Sequence, residues 1–85
     1  MILAMSKTTA PRTLAWSGEV LRELRDARGW TQSRLRDEMM AAGGGPSHPN
    51  QISDWEAGMQ PAARFLAVLC GLFDVSPARF YSDGG

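Results

Sequence analysis

The sequence predicts an all-α fold, a bundle of five short helices. Three observations carry this. Apolar residues recur at three- and four-residue spacing in separate short blocks. Each block is bracketed by a capping residue at its start and a glycine or proline at its end. No stretch outside the first few residues alternates with period two over a useful length. At 85 residues, 44% apolar and 21% charged, the chain is one small globular domain rather than a disordered one. A chain of this size buries only about 60–65% of its unfolded surface, so its core is modest.

Residues 1–15, MILAMSKTTAPRTLA, carry small residues, threonine, proline and two cations, and read as a flexible arm. MILAM lacks the basic leader and the length of a signal peptide or membrane span. Residues 16–81 form the folded domain, and 82–85 a short tail.

The first helix is expected from Ser17 to Arg28. Ser17 can cap it, and Glu19 lies in the first turn, where the helix dipole favours an acid. Trp16 and Leu21 have the spacing of a hydrophobic staple. Leu21, Leu24 and Ala27 form a narrow apolar stripe, and Gly29 supplies the left-handed stop, with Trp30 folding back over the last turn. Thr31 caps a second helix from Gln32 to about Ala41, whose core pair is Leu35 and Met39, with Met40 beside them. The run AAGGGPSHP ends it.

A third helix is expected from Pro49, with proline at its first position and His48 or Ser47 as its cap, closing at Gly58. Ile52 and Trp55 point to one side, leaving Asn50, Gln51, Ser53 and Asp54 on the others. A fourth helix covers Pro61 to Phe73, where Phe65, Leu66, Leu69, Leu72 and Phe73 give a broad apolar face and make it the most buried element. Cys70 is read as a small hydrophobe on that face. Ser76 and Pro77 open a last helical turn through Phe80 and Tyr81.

Composition narrows the function classes. A single cysteine permits no intramolecular disulfide, which fits a reducing cytoplasm. One histidine and one cysteine argue against a structural zinc site, and no cofactor is expected. There is no paired-carboxylate or glycine-loop arrangement, and GGGPS follows a helix and lacks the Lys-Ser/Thr ending of a phosphate loop. An enzyme is therefore not expected. The formal net charge is zero, yet residues 1–36 hold seven cations against three acids, and residues 37–85 hold two against six. The basic half suggests an anionic partner, or simply solvated helix faces of different sign.

Two short helices joined by a turn, the second amphipathic with a polar outer face, suggest a helix-turn-helix. Three segments in order are more specific. LRELRDARGWTQSRL carries Leu21, Arg25, Gly29, Trp30, Thr31, Gln32 and Leu35; QISDWEAG carries Ile52, Ser53, Trp55, Glu56 and Gly58; the last helical region ends in Phe73, Val75 and Ser76. Together they resemble the Cro and lambda-repressor-like (XRE-type) family of DNA-binding domains, over about residues 18–81.

That resemblance implies a five-helix domain with the helix-turn-helix at helices 2 and 3. It implies a sequence-specific transcriptional regulator, a small Cro-like repressor from a phage or bacterium, acting in the cytoplasm on double-stranded DNA. The second helix then sits over the backbone and the third lies in the major groove. Asn50 and Gln51 become the base-reading residues, since an amide can bind adenine bidentately, with His48 and Ser53 at the edges. Gln32, Ser33, Arg34 and Arg36 become phosphate contacts, with Lys7 and Arg12 reaching from the arm. Arg25 and Glu56 are implied to form a partly buried ion pair tying helix 1 to helix 3. A homodimer is implied, its surface drawn from Phe80, Tyr81 and the apolar N-terminus.

The chain departs from the family pattern in three places. The linker before helix 3 exceeds the usual 3–4-residue turn by about five residues. Arg36 stands where the family has a small residue, and Asp54 where it often has a phosphate-binding cation. An acid facing phosphate weakens non-specific binding unless the arm, Arg34, Arg36 and Arg64 compensate. The other reading consistent with these residues is a protein-interaction module of the same fold, such as the antitoxin of a toxin pair.

Overall fold

The computed structural model describes residues 14–83. In chain order it holds β1 (Leu14–Trp16), α1 (Gly18–Ala27), α2 (Gln32–Ala41), α3 (Asn50–Glu56), α4 (Ala63–Phe73), a 3-10 turn (Pro77–Phe80) and β2 (Tyr81–Asp83). The fold is thus mostly helical, with four α-helices among the described residues instead of the expected five. The expected fifth helix is a single 3-10 turn, and Tyr81 leaves it in extended backbone (φ −117°, ψ 139°).

The strands pair antiparallel, Leu14 with Asp83, Ala15 with Ser82 and Trp16 with Tyr81. Leu14 and Ala15, expected in the arm, and Ser82 and Asp83, expected in the tail, therefore belong to a small two-stranded sheet. Each strand has three residues, too few for alternation to register. Side chains reinforce the pairing. The Trp16 ring stacks on Phe80 at 5.1 Å and meets Tyr81 edge-on at 6.1 Å. Just past the strand, the Ser17 amide donates to the Phe80 carbonyl at 2.7 Å.

The helix ends follow local chemistry. Ser17 Oγ accepts the Val20 amide at 3.4 Å, capping α1. At the other end Gly29 (φ 70°) turns the chain left-handed. Its amide donates to the Asp26 carbonyl and that of Trp30 to the Arg25 carbonyl, a Schellman stop. Thr31 Oγ1 caps α2 by accepting the Arg34 amide at 3.0 Å. The Ala62 carbonyl accepts the first amides of α4, so this helix starts two residues beyond Pro61.

The core takes Trp16 from β1, Leu21 from α1, Leu35 and Met39 from α2, Ile52 and Trp55 from α3, Leu69 and Phe73 from α4, and Phe80 from the 3-10 turn. Helix α4 buries Leu69 and Phe73, and its apolar face continues in Phe65, Leu66, Cys70 and Leu72, which are half-buried against the core. Burial pushes the Cys70 thiol above its ordinary range. Met40 lies outside the core, 51% exposed, since it sits about 100° round the helix from Met39. Phe80, expected on a dimer surface, is fully enclosed beneath Trp16 and cannot contribute to one.

Candidate nucleic-acid interface

Helix α3 is short, and its orientation comes from what lies beneath it. Ile52 is 0% and Trp55 3% exposed, which turns Asn50, Ser53, Asp54 and Ala57 to the outside.

Its C-terminal end is anchored by charge. Arg25 Nε donates to Glu56 Oε2 at 2.6 Å and Arg25 Nη2 to Glu56 Oε1 at 3.1 Å, a bidentate pair with side chains 11% and 7% exposed. The Arg25 Nη1 group donates to the Trp30 carbonyl at 2.7 Å and lies 3.3 Å from Asp26. The hydrogen bond to Glu56 holds the Arg25 guanidinium above its ordinary range. Burial pulls the other way, and the charges of Glu56 and Asp26 add to the upward shift. Gln32 Nε2 also donates to Glu56 Oε1, at 3.1 Å. The Gln32 side chain therefore faces α3 and commits one of its two Nε2 donors there, while its backbone amide stands in the unpaired first turn of α2.

Two further contacts at this joint have no local sequence signature. The Trp16 indole N–H donates to the Trp55 carbonyl at 2.8 Å, satisfying a last-turn acceptor of α3. Gly18 lies so close to α3 that a Cβ there would overlap the carbonyls of Trp55 and Glu56. Neither could be found from spacing, because the partners are more than thirty residues apart in the chain.

The N-terminal end of α3 is held differently. Helix α2 closes in a second Schellman stop, with Gly43 at φ 113° and the Gly44 amide on the Met39 carbonyl at 3.0 Å. The chain then folds back against α2. Pro46 is fully buried, and Gly45 packs where a Cβ would stand 3.1 Å from Met39 Cβ. Neither His48 nor Ser47 caps α3 through its side chain. The cap runs the other way: Gln51 Oε1 accepts the Ser47 amide at 3.1 Å. The His48 carbonyl accepts the Gln51 amide, and both His48 and Asn50 are exposed.

The expected phosphate residues are not equally free. Ser33 and Arg34 are exposed at the start of α2. Arg34 pairs with Glu38 at 2.7 Å, with its guanidinium carbon 5.6 Å from the centre of the Trp30 ring. Arg36 bends into the linker and donates to the Pro46 and Ser47 carbonyls. Asp54 has no ion-pair partner among the described residues and stays exposed on the outer face. Arg64 is exposed on α4, stacked over Phe65. Lys7 and Arg12 lie outside the described residues.

Among the described residues no helix is long and apolar enough to cross a membrane, and no cluster of three or more His, Cys, Asp or Glu could hold a metal ion.

A capped helix, a linker and a second helix seated by Ile52 and Trp55, with its polar side outward, define a helix-turn-helix protein. The family model described as Helix-turn-helix matches residues 21–80. The chain belongs to this Cro and lambda-repressor-like family of DNA-binding regulator domains. No curated protein and no solved structure matches it.

Proposed function

We propose that this chain is a sequence-specific, double-stranded DNA-binding repressor of the Cro-like kind, acting in the cytoplasm of a bacterial or phage-infected cell. Helix α3 enters the major groove. Asn50 and Gln51 read base edges, and His48 and Ser53 border them. The first-turn amides of α2, with Ser33 and Arg34, hold a phosphate, and Lys7 and Arg12 of the arm add backbone contacts. The observation that carries this reading is the seating of α3, whose buried Ile52 and Trp55 turn Asn50 and Ser53 to the outside. Binding as a homodimer on two half-sites belongs to the same reading.

The test is a selection on randomised duplexes at about 50 and about 200 mM salt. An enriched site, with a shallow salt dependence, is expected. Recovery of no enriched site at the lower salt would remove the proposal. Asn50→Ala should cost about 1–3 kcal/mol on the selected site and relax preference at one base pair.

The protein-interaction reading, an antitoxin-like module, draws on one observation. The outer face carries Asp54, exposed and without an ion-pair partner among the described residues, and the cations of α2 are engaged by Glu38 and the linker. A stoichiometric protein partner without salt-dependent DNA binding would favour that reading.

A further inference from the structure

We propose that Arg36 is a positioning residue: it clasps the long linker and so sets the angle and side-chain presentation of α3. This rests on α3 being the base-facing helix. Eight residues separate α2 from α3, and three of them are glycines. A linker of that composition has many conformations to lose. Arg36 Nε donates to the Pro46 carbonyl at 2.9 Å and Nη2 to the Ser47 carbonyl at 3.1 Å.

One planar group thus grips two successive carbonyls, which fixes the peptide between them. That peptide carries the Ser47 amide, which donates to Gln51 Oε1. The chain of contacts therefore runs from α2, through the linker, to a proposed base-reading side chain. The Ser47 amide takes one lone pair of the Gln51 oxygen and fixes the amide plane, so that its Nε2 donors are presented in a set direction, which suits a base acceptor such as purine N7. The burial of Pro46 and the packing of Gly45 on Met39 give the clasp a firm backing.

The alternative role for Arg36, a phosphate contact, makes opposite predictions. Arg36→Lys keeps the charge but loses the planar fork; Arg36→Gln loses the charge as well. In the free protein, amide hydrogen exchange at Ser47 should accelerate on the order of tenfold or more in both variants, with the Leu35 and Leu69 amides unchanged. Pro46→Ala, which leaves the cation in place and loosens the seat, should accelerate the same amide. Unchanged Ser47 exchange, or equal acceleration throughout the core, would overturn the clasp.

On a selected duplex both Arg36 variants should lose similar affinity with the salt dependence preserved. If lysine restores affinity while glutamine lowers the salt slope by about 0.9, Arg36 is a phosphate contact and the proposal fails. Should no duplex be selected at all, the DNA-reading role falls, and the exchange measurement on free protein still decides the clasp.

Discussion

At its C-terminal end α3 is gripped by a nearly buried bidentate ion pair, an indole N–H and a glycine contact with no spare room. At its N-terminal end it is held by hydrogen bonds among Arg36, Ser47 and Gln51, all nearer the solvent. The difference follows from what each end has to do. The rear joint carries stability, because charges removed from water must stay paired and close backbones tolerate no added atom. At the front the restraints are partly solvated, and under the proposed reading this leaves Asn50 and His48 open to a partner. Damage at the rear should unfold the domain, and damage at the front should change what it recognises.

The largest expected effect is at the ion pair. Glu56→Gln leaves the Arg25 cation poorly compensated and should cost about 3–5 kcal/mol, lowering Tm by on the order of 10 °C or more. An unchanged melting temperature would show that the rear joint does not depend on this pair. Gly18→Ala comes next. Its methyl group would push α1 away from the Trp55 and Glu56 carbonyls, at about 1–3 kcal/mol by denaturant titration. A neutral result would mean that the helices can slide apart freely. The smallest stability effect belongs to the front. Asp54→Asn should shift stability by less than about 0.5 kcal/mol. Under the proposed reading it should also raise non-specific DNA affinity by a few fold, since an acid on the outer face of α3 repels phosphate. A large loss of stability there would erase the contrast between the two ends.

Much of this architecture was readable from local chemistry. Ser17, Gly29 and Thr31 mark helix ends whatever surrounds them, because a cap bonds within a few residues of itself. Ile52 and Trp55 point the same way in any helix. The two-stranded sheet was not readable, since it joins short segments from opposite ends of the domain. The commitment of Gln32 to Glu56 was equally hidden: its position at the start of α2 suggested a phosphate, and only the packing of α2 beside α3 offers it a carboxylate. Arg36 marks the boundary between the two cases. A large cation before a glycine-rich linker signals that something is unusual there, but not which carbonyls it will find.

By itself, then, the order of residues determined where the helices begin and stop and which side of each is apolar, since those choices are settled over a turn or two of backbone. The tertiary structure decided which polar side chains are spent on the protein itself and which stay outward. Hydrogen bonding inside a folded chain is competitive, and the winner depends on groups brought together from distant segments.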